Sequence, residues 1–161
     1  MAISTGTLQT TVSENITLNG QTFGNVVRKS HTAIIDVLVR TIPVASGTVI
    51  TTLYTVNTTE AGSAFAPTAI QYVRITNTDT TNPLSLFIEN EAGHEVLYKV
   101  NAGCSFILNL HEDSMMAETT DGTDLSGDNS GTYAAGSAAL TQIRAQGINA
   151  SVDVELFIAA N

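Results

Sequence analysis

Apolar residues return at every second position through most of this chain, in short runs separated by Gly, Asn, Asp and Pro. That spacing puts the apolar members of a run on one side of an extended backbone, so it predicts strands rather than helices. In Ala33 to Thr41, Ile35, Val37 and Val39 share a side; in Thr48 to Val56, Val49 and Leu53 oppose Ile50, Tyr54 and Val56. Val73 and Ile75 are in phase, as are Leu84, Leu86 and Ile88, then Val96, Tyr98 and Val100, then Cys104, Phe106, Leu108 and Leu110. The last run, Ser151 to Ala159, turns Val152, Val154, Leu156 and Ile158 inward and Asp153 and Glu155 outward, one face core and the other acidic. β-Branched residues fill these runs, which suits a pleated and half-buried surface.

Small and left-handed-tolerant residues mark the reversals between runs: Asn19-Gly20, Ser46-Gly47, Asp79 to Pro83, Ala92-Gly93 and Ala102-Gly103. Thr132 to Gly147 is ambiguous, its alanines favouring helix and Ile143, Ala145 and Gly147 a strand; a strand over Leu140 to Gln146 is preferred. Ala117 to Gly131 is polar, acidic and glycine-rich, and reads as a long surface loop. The first twenty residues alternate weakly and carry few large apolar groups. The expectation is therefore an all-β chain: an extended N-terminal arm over 1–20 and a single antiparallel, jelly-roll-like β-sandwich over 21–161. An arm with unpaired backbone groups can add to the sheet edge of a neighbour, which makes Ala2, Ile3, Leu8, Val12, Ile16 and Leu18 candidate partner-binding residues.

Composition narrows what such a fold does. With 161 residues, the chain buries roughly 70% of its unfolded surface, enough for a core without staples. Six Lys and Arg stand against fifteen Asp and Glu, a net charge of -9, with no basic cluster. Phosphate binding needs the opposite sign, so a nucleic-acid partner is not expected. The single cysteine, Cys104, permits no internal disulfide. No basic-then-apolar leader and no apolar run of membrane-spanning length is expected from the sequence, which reads as a protein made in a cytoplasm with no membrane partner.

Candidate chemistry is sparse. His31, His94 and His111 lack the spacing of a zinc site and read as surface residues. Cys104 could serve as a nucleophile with His94 or His111 as base, but its phase with Phe106 places it inward as a small hydrophobe. Glu112 and Asp113, and Glu89 and Glu91, are acidic pairs that read as solvated turns rather than hydrolytic dyads. Asp121, Asp124 and Asp128 offer hard oxygens in one loop, the only metal candidates, for calcium, though without EF-hand spacing. Sequons at Asn15, Asn57 and Asn149 would matter only in a secretory pathway. No nucleophile, base and orienting group assemble, so no catalytic residue and no cofactor are expected.

The stretch ITNTDTTNPLSLFIENEAG (Ile75 to Gly93), the following YKVNAGCSFILNL (Tyr98 to Leu110) and the closing IRAQGINASVDVELFIAAN (Ile143 to Asn161) together resemble small β-sandwich virion structural proteins of tailed bacteriophages. The resemblance covers about the C-terminal two thirds and is one of style, strand, polar turn and strand, with no diagnostic motif. It implies a non-enzymatic capsid decoration, or cement, protein on the virion exterior, bound to the major capsid protein and forming a homo-oligomer, a trimer or dimer. A tail, receptor-binding or carbohydrate-binding module, or another neck, tail or minor capsid component, is the alternative.

Overall fold

Val152, Val154, Leu156 and Ile158 are all buried on one side of the closing strand, and the rest of the fold is built around that face. The computed structural model describes residues 5–56, 65, 69–90, 95–109 and 140–161. These form strands and no helix: β1 (Gly6–Ser13), β2 (Ile16–Leu18), β3 (Gln21–Phe23), β4 (Val26–Ile34), β5 (Asp36–Val44), β6 (Thr51–Thr55), β7 (Ile70–Asn77), β8 (Leu84–Asn90), β9 (Glu95–Val100), β10 (Ser105–Leu108), β11 (Leu140–Gly147) and β12 (Val152–Ala160). Strands β5 to β12 make two four-stranded sheets, in the orders β10-β7-β12-β5 and β6-β11-β8-β9, antiparallel throughout. The sheets pack face to face as a β-sandwich.

The core between them is aliphatic: Val73, Ile75, Val154, Leu156 and Ile158 from one sheet meet Leu84, Leu86, Ile88 and Ile143 from the other. Each such side chain contributes about 2 kcal/mol by leaving water. Register keeps these sets in phase, with Leu156 opposite Ile75 on one side and Arg40 on the other. In β5 the shared side of Val37 and Val39 is the outward one, and Leu38, Ile42 and Val44 supply the inner face. In β6 the expected opposition of Leu53 and Tyr54 fails, since both are buried, at 2% and 3% exposure. A bulge is the cause: Ile143 pairs with Tyr54 while Arg144 pairs with Thr52, so Leu53 is an extra residue that turns inward with its neighbour.

The polar turn between β7 and β8 is held from within. Asn77 is fully buried, and its Nδ2 donates to the carbonyls of Asn82 at 2.9 Å and Val100 at 3.3 Å, while its Oδ1 accepts from the Asp79 N–H at 3.1 Å. Asp79 in turn accepts from the backbone N–H groups of Thr81 at 2.7 Å and Asn82 at 2.6 Å. The Thr, Asn and Asp residues here satisfy the backbone of a reversal, which is their chemistry.

Residues 6–34 do not join the sandwich sheets. β1 pairs with β4, with a register shift between Gly6 and Leu8, and from Leu8 outward the same register carries on into the pairing of β2 with β3, Ser13 opposite Val26 and Ile16 opposite Phe23, bridged by Glu14 N–H to the Asn25 carbonyl at 2.8 Å. Asn19 and Gly20 close the hairpin with φ of 51° and 78°, the two left-handed positions of a type I′ turn. The expected arm boundary at residue 20 therefore falls inside this turn: the first twenty residues are the outgoing half of a hairpin, and the domain expected to start at 21 gives its first strands to the same ribbon. At about 3.3 Å per residue the ribbon is roughly 40 Å long.

Candidate interaction surface

In an antiparallel ladder, residues directly opposite one another point to the same side. One side of the ribbon therefore carries Leu8 with His31, Thr10 with Lys29, Val12 with Val27, Ile16 with Phe23, and Leu18 with Gln21. The other side carries mostly Ser, Thr, Gln and Arg28, with Thr17 and Thr22 hydroxyls 3.3 Å apart, and Val26 its one large apolar residue. The apolar members thus form a stripe on a single face.

That stripe is covered only at its root. Ile34, Tyr72 and Ala159 form a small second cluster, with Leu8 and Phe157 packed against it on the outer face of sheet β10-β7-β12-β5. The His31 ring lies 5.7 Å from the Tyr72 ring and is buried. Its expected surface position is thus corrected, because it stands on the ribbon face that meets Tyr72. Burial pushes the Tyr72 hydroxyl above its ordinary pKa of 10.0. Beyond this root every residue from Thr11 to Arg28 is exposed. Ribbon and sandwich are therefore joined at one end only, since a ribbon lying along the sheet would bury one of its faces.

Of the candidate partner-binding residues, the structure brings Leu8, Val12, Ile16 and Leu18 onto this one face; Ala2 and Ile3 lie outside the described residues. Phe23 and Val27 complete the stripe and were not anticipated. Their signal was present: Asn-Gly flanked by alternating apolar residues is a strong hairpin mark, and folding the chain there pairs Ile16 with Phe23. Gly24 is required by a close approach, because a Cβ there would enter the contact shell of the Glu14 carbonyl.

The outer face that receives the ribbon's root continues as a second exposed apolar area. Pairing aligns Ile107, Arg74, Phe157 and Val39 in one row across four strands, with Val37 beside Ala159 in the next. Arg74 pairs with Glu155 and sits over the Phe157 ring, its guanidinium carbon 5.6 Å from the centroid. Val37, Val39 and Ile107 are about half exposed.

The remaining candidates separate. Cys104 is exposed, contrary to the inward position expected from its phase with Phe106. It ends the turn that begins at Asn101, with Gly103 at φ 70°, and β10 starts only at Ser105, beyond the covered part of the sandwich. Glu89 lies within β8 rather than in a solvated turn, and Arg144 binds it at 3.1 Å while also pairing with Glu95. Asp121, Asp124, Asp128, Glu91, His94, His111, Glu112 and Asp113 lie outside the described residues. Among the described residues no three His, Cys, Asp or Glu side chains come together as a metal site would require. No protein-family model, curated protein or solved structure matches this chain.

Proposed function

We propose that the chain is a non-enzymatic structural subunit of a virion, a capsid decoration protein held on the particle exterior, with its ribbon as the contact element. One observation carries this reading: an acidic sandwich projects a ribbon whose apolar stripe is left in water over most of its length. An isolated two-stranded hairpin is marginal in water, so a ribbon of this length with apolar residues on one face is built to be covered.

The strand order supports the same reading. Counting β5 to β12 as eight strands, first pairs with last, second with seventh, third with sixth and fourth with fifth. That order supports a jelly-roll reading, an architecture shared by viral capsid and lectin domains. The sequence resemblance to small phage virion proteins points to the first of these. Stabilisation would be mechanical: subunits bridging capsomer junctions bury surface there, and many weak contacts act together.

The test is to add the purified chain to particles lacking it and measure co-sedimentation and heat release of the genome. The reading predicts saturable binding and release at higher temperature, both lost with Val12→Asp/Phe23→Asp. Absence of binding to any particle whose genome carries this gene would overturn it, and binding confined to tail tips would move the protein to the receptor-binding class.

A further inference from the structure

Strand β9 is the last strand of sheet β6-β11-β8-β9 among the described residues, and it is apolar on both faces: Val96, Leu97 and Tyr98 are 49%, 62% and 52% exposed. Val96 and Tyr98 stand opposite Ile88 and Leu86 and so point to the inner side of the sandwich, where the Tyr98 ring meets that of Phe106 at 4.8 Å. Leu97 stands opposite Phe87 on the outer side. We infer that this edge pairs with itself: β9 of a second copy adds antiparallel to β9 about a two-fold axis through Leu97, joining two four-stranded sheets into one of eight strands. The inference goes beyond the contact role of the ribbon and does not depend on it.

The backbone sets the phase. The Gly147 N–H turns to the Ala45 carbonyl at 2.8 Å and the Ile148 N–H donates to the Pro83 carbonyl at 2.9 Å, so Gly147 and Leu84 face each other without exchanging bonds. Leu84 therefore turns its N–H and C=O to Val100. Because bonded and non-bonded pairs alternate along an antiparallel ladder, Leu86 and Ile88 do the same with Tyr98 and Val96. The backbone groups of Glu95, Leu97 and Lys99 are left facing the open edge, in position to receive a strand. The β5 edge of the other sheet is blunted by contrast, since Asp36 Oδ1 takes the Val37 N–H at 2.7 Å and Pro43 has no N–H.

The side chains select a second copy as that strand. Glu95-Val96-Leu97-Tyr98-Lys99 is apolar to either side of Leu97 and carries opposite charges at its two ends. Pairing it with itself about Leu97 sets Glu95 of each copy against Lys99 of the other on the outer face, with Leu97 against Leu97 between them, and Val96 against Tyr98 on the inner face. Centring the axis on Glu95 or Lys99 sets like charges together, and centring it on Val96 or Tyr98 sets a charge against Leu97, so one register alone pairs the charges. Within the chain Arg144 is shared between Glu89, at 3.1 Å, and Glu95, one cation against two carboxylates. Lys99 is exposed, and no ion pair holds it among the described residues. Lys99 of the second copy supplies the cation that this acidic pair lacks.

The experiment is sedimentation velocity and native mass spectrometry of the full chain over a micromolar concentration series. The wild type is expected to be a dimer. Leu97→Pro removes an edge N–H that no strand of its own chain uses, so it should abolish the dimer and leave the far-ultraviolet circular dichroism unchanged. Lys99→Glu and Glu95→Lys each put like charges into both outer pairs and should each weaken self-association roughly tenfold; an equimolar mixture of the two should restore a mixed dimer, because each copy then offers the charge that the other lacks. The charge variants carry the test by themselves if Leu97→Pro does not fold. A wild type that stays monomeric through the series, a trimer, or a dimer unmoved by all three substitutions overturns the inference, and failure of the two charge variants to pair on mixing overturns the register. The dimer is expected to survive Val12→Asp/Phe23→Asp; its loss there would place the interface on the ribbon instead.

Discussion

Val12 and Val27 stand directly opposite each other in the ribbon and are 56% and 57% exposed, although a cross-strand valine pair is the kind of contact that stabilises a sheet by being covered. Their neighbours Ile16 and Phe23 repeat the arrangement nearer the tip. The pair is left in water within the chain, and under the proposed contact role its behaviour under mutation differs from that of the core.

Replacing Ile16 and Phe23 together by Ser removes apolar surface that the isolated chain leaves in water, so the sandwich should keep its stability within about 0.5 kcal/mol. Attachment to the particle should be lost. Urea unfolding followed alongside co-sedimentation with particles would show both; a large drop in the urea midpoint would mean that the stripe is covered within its own chain.

The core responds in the opposite way. Leu156→Ala, at a fully buried position between Ile75 and Arg40, should cost about 2–5 kcal/mol by lost transfer energy and the cavity left behind. Asn77→Ala should cost about 1–3 kcal/mol, because the Asn82 and Val100 carbonyls and the Asp79 N–H lose their buried partner. Denaturant titration measures each, and a neutral Asn77→Ala would show that the β7–β8 turn needs no internal support.

Acid should loosen that turn through Asp79. The N–H groups of Asn82 and Thr81 favour its ionised form and hold its carboxyl below the ordinary value of 3.8. On acidification the unfolded chain takes up this proton before the folded one. The contribution is present in full above about pH 4 and is lost as the pH falls through the folded pKa. Wild type should lose stability more steeply than Asp79→Asn below pH 3.8; parallel curves would contradict the hydrogen bonding.

Cys104 lies exposed at the end of the β9–β10 turn, so the native protein should react with a thiol reagent as fast as the unfolded chain does. A thiol that reacts only after denaturation would restore the inward placement.

Much of the sandwich was legible along the chain because every Val, Leu and Ile of β8 and β12, and Val73 with Ile75 in β7, falls on one face, although Tyr72, Phe87, Phe157 and Ala159 stand on the other. Val73 with Ile75, Leu84 with Leu86 and Ile88, and the alternating valines of β12 left one way to fold inward. In β5 both faces are apolar, with Val37 and Val39 against Leu38, Ile42 and Val44, and spacing cannot choose between them. Leu53 escaped because a bulge is a property of the pair of strands, not of one. The site was half legible: Val12, Ile16 and Leu18 were visible as an apolar period, but an arm and the first half of a hairpin have the same local pattern. Only the pairing through Asn19 and Gly20 adds Phe23 and Val27. His31 and Cys104 went to the opposite environments from those expected, since burial of a lone residue depends on what another element lays over it.

The most direct test of the account is electron cryomicroscopy of virions whose genome carries this gene, at a resolution that traces strands. The account predicts the sandwich on the capsid exterior at capsomer junctions, with the face bearing Val12, Ile16, Phe23 and Val27 buried against a neighbouring subunit. Density for the sandwich with that face in solvent, or particles that lack the chain altogether, would contradict it.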